Sequence, residues 1–598
     1  GQTGLDKRRY PLETGITCGT EERISMHAAA GLGAPHTLPA EVRIDRAGVF
    51  FAMRQSVSNT VLSGSLTYHL KTPEFSPSDY LELKRILREI EFAGRKRPLF
   101  EAGDPNPPDQ ETLHDITETR LVSPHAWTTI HTWSRRVLTY AGKKNNSELK
   151  IPFNPVWQQV DLLAATVSNA NGTVHTVTSK EMNRMDAAWT GSAPRYPAGK
   201  LLVVNLPGVE TGSVITVTTR FTQTNAPFYC HTHTFGGTAP VAEAVYRLIY
   251  PDTLNPAIRL VHPGSVTAGS ETRDGLITRT WHAPRQPVTR TEEMLPPWHF
   301  FRPTLFVSFG DWPGYARLLR RAAETAADTD RAARRRAKEL VRGLRDPRER
   351  LLAVRDEVLR TIRPAGPAFL DLPPDCLSPP DRTLADQYGH PADRALLLRS
   401  MLRAAGFDAE LLFAGQDTTR YPAFSQPMRE IPQIGFYSHP LVAVRLRDGI
   451  CYLNEGDQYS EPGSSGLEGA PALTLRGRPV TIELDESLRN RLHHAWTIDL
   501  DASGSARITV SNRFFGTQAG TFRKQYREML PEERRRHHLE LVSAIAHAAE
   551  PASALITETE GYPCVRTHTV TAARYATREG RTLTLLIPEV AGILFPLR

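Results

Sequence analysis

At 598 residues the chain is too long to bury a single core, and ordinary domain sizes divide it into three to five units. Its 40% hydrophobic and 23% charged residues fit soluble globular domains, and no apolar run approaches the roughly 18 residues of a membrane span, so no transmembrane segment is expected. The net charge of +7 is local: residues 317–363 hold fifteen Lys/Arg against eight Asp/Glu, an excess equal to that of the whole chain. That segment can meet a polyanion or be a solvated helix face, and no aromatic residue is interleaved with its charges as in nucleic-acid platforms.

In chain order, EVRIDRAGVFFAMRQSVSNTVLSGSLTYHLKTPEF (41–75) alternates polar and apolar residues around Ala-Gly and Ser-Gly turns, which predicts antiparallel strands. SPSDYLELKRILREIEFAG (76–94) then has a Ser cap, an early proline and Tyr80, Leu81, Leu83, Ile86, Leu87 and Ile90 at helical spacing. EAGDPNPPDQ (101–110) reads as a proline-rich linker. Strand patterns separated by Asn171-Gly172 and Pro207-Gly208 fill 112–290 and predict an all-β sandwich.

Asp311 before Trp312-Pro313 is a cap followed by an early proline, and it predicts one charged, Ala-rich helix to about Gly343 within a connector, 291–345. A second helix over 346–362 presents Leu351, Leu352, Val354, Val358, Leu359 and Ile362 on one side. After a proline-rich loop come the helix GHPADRALLLRSMLRAAG (389–406), the strand AELLFAG and two strands around Asp448-Gly449, an α+β pattern over 346–475. The last region, 476–598, shows strands, a helix over 530–549 and more strands.

TLADQYGHPADRALLLRSMLRAAGFDAELLFAG (383–415) resembles the core of a transglutaminase-like domain of the papain-like cysteine protease superfamily, whose pattern is Gly-x-Cys-x-Asp followed by a Leu-rich helix. Gly389, Asp393, Ala395, Leu397, Leu402, Gly406 and Ala409 match that pattern, and YSHPLVAVRLRDGICYLNEG (437–456) resembles its His and Asp strands. Bacterial proteins of unknown function place such a domain between two β-sandwiches. IPFNPVWQQVDLLAATVSNANGTV, MDAAW and VVNLPGVETGSVI, all within 112–290, resemble the first of these. The resemblance implies a multidomain fold, all-β sandwiches flanking an α+β transglutaminase-like domain, and an extracytoplasmic setting.

The family's chemistry needs a thiolate at a helix N-terminus, a His as acid/base and a carboxylate or amide to orient it. The alignment puts Pro391 in the Cys position, His439 in the His position and Asn454 where the Asp usually stands. Proline offers no nucleophile and no N–H but suits the first helical position, so the expectation is a degenerate triad and a non-catalytic scaffold or binding protein. One alternative is an acyl-transfer or peptidase-type enzyme with a non-standard nucleophile, for which His390, Cys376 and Cys451 are poor candidates. A second is a polyanion binder through 317–363. His439, of one parity with Leu441 and Ala443, reads as a hydrogen-bonded inward His.

The cysteines Cys18, Cys230, Cys376, Cys451 and Cys564 lack CxxC spacing, and Cys230-His231-Thr232-His233 alternates faces as a strand edge, so no metal or cofactor is expected. Residues 1–102, with RRYPLETGI, TLPAEVRID and SPSDYLELK, resemble the tail of the sandwich that 476–598 begins. Either 1–102 completes that sandwich in cis, or the chain is a segment of a longer array that a neighbouring chain completes, which would permit head-to-tail homo-oligomers. The opening GQTGLDKRR has neither an initiator Met nor an apolar leader, so a processed chain or a fragment is expected and the compartment stays open.

Overall fold

The computed structural model describes residues 7–27, 32–58, 61–102, 108–289, 292, 295–415, 422–447, 449–453, 457–546, 548–580 and 582–585. By its contacts the chain divides into Gly1–Pro107 and Pro108–Arg598. In the first unit, β1 (Cys18–His27), β2 (Val42–Arg46), β3 (Val49–Ser58) and β4 (Val61–Leu70) form an antiparallel sheet in the order β1-β4-β3-β2. Helix α1 (Pro77–Arg95) starts where Ser76 Oγ accepts from Asp79 N, and it lays Tyr80, Leu83 and Ile86 on Val49, Phe51 and Met53. The alternation of β3 and the 3.6 period of α1 thus meet in one core.

The second unit begins with a sheet of eight strands among the described residues. Its inner members are β5 (Gln110–Ser123), β6 (Ala126–Val137), β7 (Gln158–Ser168), β8 (Val214–Gln223), β10 (Val241–Pro251) and β11 (Leu276–Gln286), in the order β7-β8-β6-β5-β10-β11; β9 (Cys230–Thr234) belongs elsewhere. The strands Val174–Thr176 and Thr267–Arg273 close the two edges. All pairs are antiparallel except β10 with β5. Two three-stranded sheets share its cores, one of them being β9, β12 (Thr304–Ser308) and Ala257–Val261 with β12 in the middle. The boundary expected at 290 therefore falls short: β12 belongs with the strands before it.

The expected connector and its single basic helix also need correction. The segment is two helices, α2 (Trp312–Ala327) and α3 (Arg331–Leu340), broken at Asp328-Thr329-Asp330. Asp and Thr compete for backbone hydrogen bonds and favour caps over helix interiors. The carboxylate of Asp381 then caps α3, accepting from Ala332 N at 3.0 Å and Ala333 N at 2.9 Å. Neither helix is a spacer, because Tyr315, Leu319, Ala333 and Ala337 are buried in one core with α4 (Pro347–Thr361) and α6 (Pro391–Ala404). Many of the arginines are tied up as well: Arg336 pairs with Glu357, Arg348 with Glu461, and buried Arg355 donates to the carbonyls of Asp457 and Ser460.

Helix α5 (Pro380–Asp386) precedes α6, which is followed by β13 (Asp408–Ala414), β14 (His439–Leu446), β15 (Gly449–Leu453), β16 (Pro471–Thr474) and β17 (Pro479–Thr481) in a sheet of order β15-β14-β13-β16-β17. Leu396, Met401 and Leu402 of α6 cover one face through Leu411, Phe413, Val442 and Val444. The other face buries Leu412, Ala414, Leu441 and Tyr452 in a second core, so both parities of β13 and β14 are apolar. In the last region β18 (Leu492–Leu500), β19 (Ala506–Phe514) and β20 (Cys564–Ala572) pair in that order. It holds two helices where one was expected, α7 (Thr517–Glu528) and α8 (Pro531–Ser543). Arg523 of α7 ties it back by donating to Tyr459 O and lying 3.4 Å from Glu461.

Candidate functional site

Position 391 starts α6, as the fixed φ and missing N–H of proline favour. His390 is the cap: its Nδ1 accepts from Ala392 N at 3.1 Å and Asp393 N at 3.4 Å. An acceptor at Nδ1 places the proton of the neutral ring on Nε2, which lies 3.4 Å from Asp393 Oδ1. Burial pushes the His390 pKa down, which keeps the ring neutral, with Asp393 opposing that shift and Arg195 adding to it. The N–H groups that would stabilise a thiolate at this helix end are thus absent at Pro391 and engaged at the next two residues.

Asp393 is fully buried and its carboxylate is bonded on both oxygens. Oδ1 accepts from Ser378 N at 2.8 Å, and Oδ2 accepts from the Tyr196 hydroxyl at 2.6 Å with Arg195 Nη2 at 3.4 Å. Tyr196 Oη in turn accepts from His390 N at 2.8 Å and from Arg195 Nη2 at 2.7 Å. Arg195 reaches Asp386 at 3.0 Å and the Tyr388 carbonyl at 2.9 Å, while its guanidinium lies over the Tyr388 ring. Burial and the Asp393 charge raise the Tyr196 pKa well above that of free tyrosine, so the phenol stays protonated and donating. Gly389 fits because a Cβ there would meet Thr383 Cγ2 at 3.1 Å and Asp393 Cβ at 3.2 Å.

His439 falls on the face of the sheet away from α6. In the β13–β14 register His439 is opposite Ala414 and Leu441 is opposite Leu412, and Leu412, Ala414 and Leu441 all lie in the core on the face away from α6. Strand alternation gives His439 that same parity. Asn454 lies outside the described residues. Cys376 is half-buried in the loop before α5, and burial, Asp375 and Asp393 push its thiol pKa up, opposite to what an attacking thiolate needs. Burial likewise pushes Cys230 and Cys451 up to about 11. Among the described residues no group of three or more His, Cys, Asp or Glu could hold a metal ion.

Sequence reasoning missed Arg195 and Tyr196. They sit in the loop SAPRYPAGK, almost 200 residues before Asp393, and only the fold brings them together. Paired arginine and tyrosine between two prolines was the one local signal.

Residues 123–289 match a family model described as a domain of unknown function, DUF3857. No curated protein matches the sequence. A crystal structure described as "a putative protease from Parabacteroides distasonis" is similar with a TM-score of 0.54 at 15% identity, over 78% of this chain and 94% of that one. This is a mainly β, multidomain fold. At that identity the likeness shows the fold alone. An M1 zinc metallopeptidase from Deinococcus radiodurans matches over 33% of this chain and 42% of that one, at 13% identity and a TM-score of 0.19, too low to carry an argument.

Proposed function

We propose that this chain is a non-catalytic protein with a transglutaminase-like region, acting as a scaffold or binding protein and not by acyl transfer. The observation that carries the reading is the start of α6, where Pro391 has neither nucleophile nor N–H and His390 takes the next two N–H groups. The raised thiol of Cys376 and the register of His439 support it, because each removes a part from the usual acid/base and nucleophile pairing.

The test is Pro391→Cys in the full chain, measured by the rate of thiol alkylation and by hydrolysis and transfer on amide and thioester substrates. The expected outcome is an ordinary alkylation rate near neutral pH and no turnover above the unmodified protein. A native amidase activity abolished by alkylating Cys376 overturns the reading, whereas acyl transfer by the variant would overturn the expectation that the rest of the site has drifted and leave Pro391 as the one change that silences it.

A further inference from the structure

Between the second half of α6, α2, β13 and the turn after β16 lies a cleft of about 210 Å³. Leu411 and Leu475 give it an apolar part, and most of the remaining lining is charged. Four arginines, Arg320, Arg399, Arg403 and Arg476, stand against two acids, Glu324 and Glu410, so the cleft carries an excess of two positive charges. Glu410 is already paired with Arg476 at 2.8 Å. Glu324 makes no ion pair among the described residues.

The other three arginines are left with little to bond. Arg403 donates from Nε to the Ala409 carbonyl at 2.8 Å, while Arg320 and Arg399 have no hydrogen bond or ion pair among the described residues. Arg399 is the sharper case, because it is half-buried. Only its Nε is sealed from water, so its two Nη groups are the accessible end of a side chain that lines the cleft. Burial pushes its pKa down and Arg403 adds to that, with Glu324, Glu410 and Asp330 opposing. A guanidinium taken partly out of water beside a second one is unfavourable, and an anion held between the two offsets both costs.

The arrangement also selects the anion. Arg399 and Arg403 stand four residues apart on one side of α6, and Arg320 approaches from α2. A planar carboxylate is matched by a single guanidinium fork, whereas the tetrahedral oxygens of a phosphate accept from several donors at once. A phosphate monoester carries about −1.5 to −2 charge at neutral pH, which balances the excess of the cleft. The volume exceeds the about 150 Å³ that accepts benzene, so a short organic stem fits beside the two leucines.

We propose that this cleft binds a small molecule through a phosphate monoester group, with Arg320, Arg399 and Arg403 as the donors to it. The proposal goes beyond the non-catalytic reading, at a place more than two turns along α6 from Pro391. Its test measures affinity and not turnover, so either can fail while the other holds.

The probe is glycerol 3-phosphate, titrated calorimetrically into the full chain at fixed ionic strength, with succinate as a carboxylate dianion for comparison. Glycerol 3-phosphate should bind at one site and succinate more weakly. Arg399→Gln should weaken the phosphate about ten- to hundredfold, the range of one hydrogen bond to a charged group. Arg320→Gln changes an exposed side chain and should weaken it in the same direction, with the melting temperature reporting that the fold persists. Glu324→Gln, which takes an acid out of the cleft, should tighten it. Arg335→Gln removes an equal charge from the exposed side of α3, outside the cleft, and should leave the affinity unchanged. The proposal is overturned if glycerol 3-phosphate does not bind, if succinate binds as tightly, or if Arg335→Gln weakens binding as much as Arg320→Gln, which would mark a general response to net charge.

Discussion

At the start of α6 the buried carboxylate of Asp393 is bonded on both oxygens, whereas in the last sheet the buried imidazole of His568, 2% exposed, has a hydrogen-bond partner on neither nitrogen among the described residues. Both side chains have left water, and leaving water is unfavourable for a polar group in proportion to its charge. Asp393 answers with Ser378, Tyr196 and Arg195, and so fixes one geometry between residues far apart in sequence. His568 answers by staying neutral: burial, then Arg566 and His538, push its pKa down to about 4. The difference teaches that a charged group can be buried where its partners are built in, while an unpaired group must be one that can give up its charge.

The strongest way to break the comparison is Asp393→Ala. It leaves Arg195 and the Tyr196 hydroxyl facing an apolar gap, and removing one member of a buried, hydrogen-bonded ion pair typically costs about 3–5 kcal/mol. Denaturant unfolding of the unit holding α6 should show that loss, and a change under about 1 kcal/mol would mean the lock is ornamental.

Acid tests the other side. The folded-state pKa of His568 lies below the unfolded value of about 6.5, so the unfolded chain binds the extra proton. The stability is fully present above about pH 6.5 and falls as the pH drops towards 4, by at most about 3 kcal/mol from this residue. His390, also shifted down, adds in the same direction. Melting the last region between pH 7 and 4 should show the decline, and His568→Leu should flatten it; an equally steep variant would place the titration elsewhere. Tyr196→Phe is the smallest test. It removes the hydrogen bond to the Asp393 carboxylate and the acceptor for His390 N and Arg195 while keeping the ring, and should cost about 1.5–3 kcal/mol by the same unfolding measurement, without altering the pH profile set by His568.

What the sequence made legible follows from how local each signal is. The helix at 391 could be read from Pro391, Asp393 and the Leu spacing, because caps and periodicity act within one or two turns. The break between α2 and α3 was overlooked although Asp328-Thr329-Asp330 carries it, since the Ala-rich flanks read as one run. In α4, Leu351, Val354 and Val358 are buried as expected, but Arg355 shares their burial, for which the adjacent Asp356 carboxylate and the distant carbonyls of Asp457 and Ser460 compensate. The Tyr196–Asp393 contact and the β13–β14 register that sets the face of His439 are long-range facts. No short window holds them.

The middle position of β12 has a consequence for how the protein is made. Cys230–Thr234 and Ala257–Val261 both bond to Thr304–Ser308 and not to each other, so neither has its sheet partner until that segment has been synthesised. At about 5–20 residues per second, ribosomal elongation leaves β9 waiting roughly 4–14 s with its backbone unmatched.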